Sequence, residues 1–395
     1  MKISIISNLR HSAQPGEFGD VFLRRAVQRL LKYIKPDLLF LAGDLLSTPE
    51  AEDAKESWMR LTRILSVLQC PIIARGGRPS PGMLELYQTL PNQNALPKYL
   101  DPRLLALLDQ APPLQSPLFP FLVAETNAQG APFRVETCEL KMPQNMELTD
   151  FHIHTRAAYC NNDLDAVKTV ELASQFGLKS AVILEHSGQL YFESPDYWNN
   201  VYSHAWPNTR KIDRSSEFFA EFEQSCRAAR IPVFRGFELD VSDKGEPVIL
   251  PDTLKQAQVR LGAVHSLSSS PDFSDWQALK KEFLFKVKSL LQNQIDVLAH
   301  PFRIFQWLKL PVPPDLFEPV AELLKSHRTA AELNFHANVP EPEFFELCIK
   351  KGIKIAFGSD SHSLYEIGEF YPHLKLLEQF GVLGRLDEIV LKKHS

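Results

Sequence analysis

Two rhythms of apolar residues run along this chain. Short continuous apolar runs mark strands buried on both faces, and stretches with a period near 3.6 mark helices. The first 145 residues open with a predicted strand, Lys2–Ser7, and a helix near 20–34 whose Phe22, Ala26, Val27, Leu30 and Ile34 share a face. A strand at Leu38–Ala42, a helix near 53–68 and a strand at 71–75 follow, and this βαβ order implies a parallel sheet. Residues 120–140 read as a hairpin turning near Gly130, and 79–120 is rich in proline and leucine without a clear period.

After a linker at 141–145 one unit repeats: a short apolar strand, a polar residue at its end, then a helix. Strands are predicted at 148–153, 180–184, 232–237, 259–264, 295–299, 329–333 and 353–357. Helices are predicted near 163–176, 215–229, 276–292, 315–327 and 341–351. Seven strands alternating with helices indicate a β/α barrel one strand short of the usual eight. The chain therefore divides into a domain over 1–140 and a second over 147–395. For 395 residues two cores are expected.

Composition narrows the picture. Hydrophobic residues make up 44% and charged residues 23%, values of an ordinary globular protein, and no apolar run is long enough to span a bilayer. The opening MKISIISNLR reads as a strand and not as a signal peptide. Five scattered cysteines with no CxxC pair suggest reduced thiols and a cytoplasmic location. A net charge of −5 gives no general pull on nucleic acid.

Histidine placement changes the picture most. Of twelve, only His11 precedes residue 150. The segments that follow the seven barrel strands are Asp150-Phe-His152-Ile-His154-Thr155, Glu185-His186, Glu238-Leu-Asp240, His265-Ser266, His300-Pro301, Glu332-Leu-Asn334 and Ser359-Asp360-Ser361-His362. Each strand thus delivers a histidine or carboxylate to one mouth of a parallel barrel. A single strand-end histidine is usually a satisfied polar residue, but seven consecutive strand ends of one chemical type indicate a metal cluster. Imidazole with carboxylate suits zinc, manganese or iron.

In this order and spacing, DFHIHT, EHSG, GFELD, His265, AHPF, ELN and GSDSH resemble the polymerase and histidinol phosphatase (PHP) family. The resemblance covers about 147–395. It implies a distorted seven-stranded β/α barrel with a two- or three-metal phosphoesterase site, and it makes Glu238, Asp360 and His265 the candidate catalytic residues. One cation would be held by His152, His154, Glu238 and Asp360, and a second by Glu238 as a bridge with His265 and His300. A third would be held by His186 and His362. Cys160 stands where many members place a further histidine: its thiolate is a competent zinc ligand, and a small buried thiol is the alternative. Glu185 replaces the aspartate common before the histidine of the second motif.

The N-terminal region resembles the calcineurin-like metallophosphoesterases more faintly, through ISNLR, PDLLFLAGDLL and CPIIARGGRP. That implies an α/β sandwich-like domain. Asn8, Arg10, Gly77 and Arg78 replace expected ligands, and Asp44 alone survives. With no histidine between His11 and His152, a dinuclear site is not expected there, and the domain reads as a degenerate structural, regulatory or substrate-guiding module.

Arg156 and Arg303 follow ligands closely and could grip a phosphate. The aromatic insertion at 191–214 ends in Arg210, Lys211 and Arg214, and Arg210 is a further substrate-binding candidate. The leading reading is hydrolysis of a small phosphomonoester. A metal-dependent exonuclease or phosphodiesterase acting on nucleic-acid ends is the alternative within phosphoesterases, and a metal-stabilised, non-catalytic scaffold is the alternative outside enzymes. An amidohydrolase barrel also starts with HxH, but normally carries a bridging lysine where this chain has Glu238. No membrane partner is expected, and the sequence leaves the oligomeric state open.

Overall fold

The computed structural model describes residues 1–7, 9, 18–43, 45–46, 54–75, 89–92, 121–127, 132–143, 145–208, 210–268 and 274–393. The turn expected near Gly130 lies outside them, as do Asn8, Arg10, Asp44, Gly77 and Arg78 of the faint N-terminal resemblance. The chain forms two compact units, Met1–Met142 and Pro143–Ser395.

In the first unit, β1 (Lys2–Ser7), β2 (Leu38–Ala42) and β3 (Ile72–Arg75) pair in parallel. The hairpin strands β4 (Phe121–Thr126) and β5 (Pro132–Cys138) join antiparallel, which gives a mixed sheet in the order β3-β2-β1-β4-β5. Ile3, Ile5, Phe40 and Ile73 form its core. Helix α1 (Gly19–Arg29) buries the apolar face predicted for it, and its continuation, Leu30–Ile34, opens into a π-helical turn that ends at left-handed Lys35. Helix α2 (Ala54–Leu65) packs on α1. Buried Arg25 and Arg29 donate to the carbonyls of Leu140 and Glu139 at 3.1 and 2.5 Å, tying the helix to the end of its own unit.

The second unit is a seven-stranded parallel sheet in sequential order: β6 (Thr149–Ile153), β7 (Ser180–His186), β8 (Val233–Leu239), β9 (Val259–Gly262), β10 (Val297–Leu298), β11 (Ala330–Asn334) and β12 (Ile355–Gly358). A parallel bridge between Ile153 and Ser361, with His154 N–H donating to Ser361 O at 3.2 Å, nearly closes the sheet into a barrel. Helices α3 (Ala166–Gln175), α6 (Ser215–Ala228), α8 (Trp276–Gln292), α10 (Phe317–His327) and α11 (Pro342–Lys350) wrap it, each within a predicted stretch. The Asp165 carboxylate caps α3 by accepting from the backbone of Val167 and Lys168, which explains its start there. The structure adds two short helices inside the aromatic insertion, α4 (Ser194–Trp198) and α5 (Val201–Ala205). It also adds α7 (Pro251–Leu254) after β8 and α9 (Arg303–Trp307) after β10. Among the described residues no helix is long and apolar enough to cross a membrane.

Strand alternation places the donors. The barrel core contains Val182, Leu184, Phe234, Val259, Leu261, Ala263, Ala330 and Ala356. Counting by two along the same strands gives His186, Glu238, His265, Glu332 and Asp360, so apolar layers below and polar donors above share the inner face. In β6 the parity changes. Phe151 is in the core, and a register shift between Asp150 and Ile153 lets His152 and His154 join the donors.

Candidate metal centre

Glu238 is the middle of the cluster and is wholly buried. Its Oε1 lies 2.7 Å from His300 Nε2 and 3.2 Å from His265 Nε2. Its Oε2 lies 2.6 Å from His186 Nδ1, 3.4 Å from His152 Nε2 and 3.7 Å from His154 Nε2. One carboxylate therefore faces two sets of imidazoles with its two oxygens. Asp360 Oδ1 approaches His154 Nε2 at 3.2 Å and His152 Nε2 at 3.4 Å. Three donor groups result: His152, His154 and Asp360; His186, Glu238 and His265; and His154, His186 and His362. They are consistent with two or three divalent metal ions.

The chemistry of these atoms fits cations. His186 Nδ1 and Glu238 Oε2 approach without hydrogen-bond geometry, as do His265 Nε2 and Glu238 Oε1. With Asp360 Oδ1 and His362 Nδ1, the atoms His186 Nδ1, Glu238 Oε2 and His265 Nε2 are buried with no hydrogen-bond partner among the described residues. Buried polar atoms are seldom left so, because each costs on the order of 1–3 kcal/mol. A shared cation satisfies them together. Burial opposes charge on Glu238, but His186, His152 and His265 hold its carboxyl well below the usual range. Burial also opposes charge on Asp360, which His152 and Arg303 nonetheless keep ionised. His362 is pushed down to about 2 by burial and by His154, leaving a neutral imidazole free to ligate.

A second ring of carboxylates aims the histidines. A carboxylate can only accept, so His152 Nδ1–H donates to Glu332 Oε1 and His265 Nδ1–H to Asp240 Oδ1, both at 2.7 Å. Each bond turns the other ring nitrogen inward, where it can ligate a cation by giving up the proton that the surrounding carboxylates otherwise favour. Glu332 reaches His152 across Gly358, where a Cβ would sit 1.8 Å from Glu332 Oε1. Glu185 accepts from Thr155 N–H and its hydroxyl at 2.8 and 2.6 Å and stands 3.7 Å from His154 Nδ1. Strain collects here too: Asp360 and His300 adopt positive φ, 53° and 28°, which non-glycine residues rarely do.

The sequence singled out Glu332 and Asp240 as strand-end polar residues without giving them this orienting role. Their signal was their position: Asp240 stands two residues after Glu238, and Glu332 stands two residues before the end of the strand beside that of His300. Glu366, which accepts from His362 N–H at 2.9 Å and pairs with His336 Nδ1 at 3.2 Å, carried no sequence signal.

Other candidates fall on either side of the cluster. Arg303 is buried, pairs with Asp360 and stands 4.0 Å from Glu238. Arg156, in contrast, points away into an ion pair with Glu221, so its proximity in sequence to His154 does not bring it to the mouth. Arg210 is exposed and does not line the cavity above the donors. Cys160 Sγ lies 3.8 Å from His186 Nε2 but belongs to none of the three donor groups. Burial, reinforced by Glu185, pushes its thiol up to about 12.

Above the cluster opens a cavity of about 360 Å³, lined by donors and by Tyr197, Trp198, Tyr202, Arg303, Trp307 and His336. His204 is exposed and apart from it.

No family model matches the chain. Distant relatives do. A "Probable phosphatase" of Acetivibrio thermocellus is 27% identical over 182 residues, which is 42% of this chain and 70% of its own. Another, of Shewanella piezotolerans, is 25% identical over 261 residues, 62% of this chain and 92% of its own. A third, of Thermoanaerobacter pseudethanolicus, is 25% identical over 181 residues, 41% and 69% of the two chains. Together with the near-closed seven-stranded barrel and its three donor groups, they decide the fold. The second unit has the fold of a PHP-like metal-dependent phosphoesterase. In this PHP-like barrel the donors stand at the carboxyl ends of the strands, where parallel barrels build their active sites.

Proposed function

We propose that the chain hydrolyses small phosphomonoesters, with the residue roles implied by the PHP resemblance and with 1–140 as a degenerate, non-catalytic domain. The observation that carries this reading is the bounded cavity of about 360 Å³ directly over the donors. It has room for a phosphate and a compact organic group, as small-molecule sites do. Three cations around the insertion are already engaged, Arg156 with Glu221, Lys211 with Asp196 at 3.0 Å and Arg214 with Glu217 at 2.9 Å, and Arg210 stands exposed beside them. A backbone-tracking nuclease needs a run of available cations.

Divalent ions bound by these donors supply Lewis acidity toward phosphoryl oxygens and lower the pKa of a water. The protein's own contribution is orientation and charge. Glu238 presents an oxygen to each of two histidine sets, and Glu332 and Asp240 lock the tautomers of His152 and His265. Arg303 sets a guanidinium beside Asp360, where it offsets charge on the carboxylates and faces the cavity that would take the phosphate.

A paired assay with manganese tests the proposal, setting sugar, amino-alcohol and nucleoside monophosphates against labelled single-stranded and duplex DNA and RNA. Turnover of monoesters with little cleavage of internal diesters is expected. Efficient, salt-sensitive exonucleolytic degradation without monophosphate turnover would promote the nuclease reading instead.

A further inference from the structure

The metal chemistry leaves the aromatic wall unexplained. Among the described large apolar side chains that remain exposed, Trp198 and Trp307, at 51% and 46%, are the two that line the cavity. Both are held by ring contacts that run back to donors. Trp307 stacks on His265 with centroids 5.8 Å apart and planes at 15°, and the Arg303 guanidinium lies 4.6 Å from its ring. Trp198 meets Tyr197 edge-on at 5.1 Å, and Tyr197 lies 5.8 Å from His186. The two indoles sit in short helices, α4 and α9, which follow strands β7 and β10, three positions apart in the sheet. The cavity is thus bounded by rigid rings from separate loops.

The chemistry of that wall discriminates between ligands. A sugar phosphate brings several hydroxyls, each of which needs a partner once it leaves water. Apart from the metal donors and Arg303, the lining is mainly aromatic, and its other polar groups are few: Asn200, His336, the Cys160 thiol and the hydroxyls of Tyr197 and Tyr202. Flat π-systems gain from such a wall by stacking.

Resting on the phosphoesterase reading above, we infer that the preferred substrate carries a planar aromatic or heteroaromatic ring on its leaving group, seated against Trp198 and Trp307. The phosphate then faces the histidine and carboxylate floor. Hydrolysis adds water to phosphorus, breaks the bond to the leaving oxygen, and returns a proton to that oxygen, giving inorganic phosphate and the aromatic alcohol.

The test compares benzyl phosphate with cyclohexylmethyl phosphate on the full manganese-loaded chain, because these esters match in size and leaving-group type and differ in ring planarity. The benzyl ester should be favoured in kcat/KM by about tenfold. In Trp198→Ala and Trp307→Ala that ratio should fall toward unity, while Trp198→Phe and Trp307→Phe keep part of it; the phenylalanine variants carry the comparison if the alanine ones do not fold. Binding of the matching phosphonates, read by tryptophan fluorescence, gives a second readout that needs no turnover. Equal kcat/KM for the two esters, or a ratio unchanged in the variants, overturns the inference and leaves the phosphoesterase reading standing. If neither ester turns over, that reading fails, and fluorescence quenching by both phosphonates alike would overturn the inference as well.

Discussion

The two units use the same strand and helix grammar and fill their sheets differently. In the first, the core of β1 to β4 is Ile3, Ile5, Leu38, Phe40, Ile73 and Ala124, and buried Arg25 and Arg29 are anchored on backbone carbonyls of their own unit. In the second, the strands change character along their length. Apolar layers such as Leu184, Leu261 and Ala356 give way at the carboxyl ends to His186, Glu238, His265, Glu332 and Asp360. All three donor groups found among the described residues lie there. Burying that many ionisable groups is costly unless something compensates them. The barrel therefore gives up folding stability at its mouth for a constellation that a cation completes, whereas the described residues of the first unit form no such donor group.

The sharpest way to break this contrast is to remove the central charge. Glu238→Gln should lower phosphomonoester turnover by about a thousandfold, roughly 4 kcal/mol of transition-state stabilisation, because the carboxylate that would neutralise two cations loses its charge. Metal analysis of the same variant should show lost equivalents. Near-normal rates with full metal content would mean that Glu238 is not the bridge.

Chelation should act on one unit. Ligands that bind only the folded state stabilise it by about 4 kcal/mol at a thousandfold excess over Kd, so stripping the metals should lower the melting midpoint. Hydrogen exchange should locate the effect, with faster exchange in β6 to β12 and unchanged protection in β1 to β5. Equal loosening of both sheets would contradict the assignment of the metals to the barrel.

A smaller effect is expected one layer out. Glu332→Gln and Asp240→Asn each weaken the aim of one histidine, and carboxylates in such positions typically account for about 10- to 100-fold in metal affinity or activity. Metal titration should follow this loss, with His152 the affected ligand in the first variant and His265 in the second. No change in either would mean that packing alone orients the rings.

Much of this was legible in the sequence because the signals were local. Apolar runs ending in His186, Glu238 or His265 predict both the strand and the donor at its end. What the sequence could not carry depended on distant partners. Arg156 and Arg303 look alike, each a few residues past a ligand histidine, but one meets Glu221 and leaves the mouth while the other meets Asp360 and stays. The register shift that turns His152 inward, and the room at Gly358 that lets Glu332 reach it, are properties of the assembled barrel. The helices α4 and α5 of the insertion were hidden for a related reason: at five residues each they are too short to establish a period.

Cys160 gives the smallest and finest test of where the metal centre ends. The resemblance allowed its thiolate as a ligand of the third cation, but His154, His186 and His362 already form a donor group without it. The thiol is held protonated by burial and by Glu185, so it would ligate only by releasing its proton to water as a nearby cation takes up the sulfur. Its sulfur is nevertheless 3.8 Å from His186 Nε2 and accepts from Gln189 Nε2 at the same distance, near enough to favour a soft metal. Cys160→Ser should therefore keep the number of bound equivalents and reduce zinc affinity by tenfold at most, roughly 1.4 kcal/mol. Loss of a whole equivalent in the serine variant, restored in Cys160→His, would make the thiolate a required ligand and move the edge of the cluster outward by one residue.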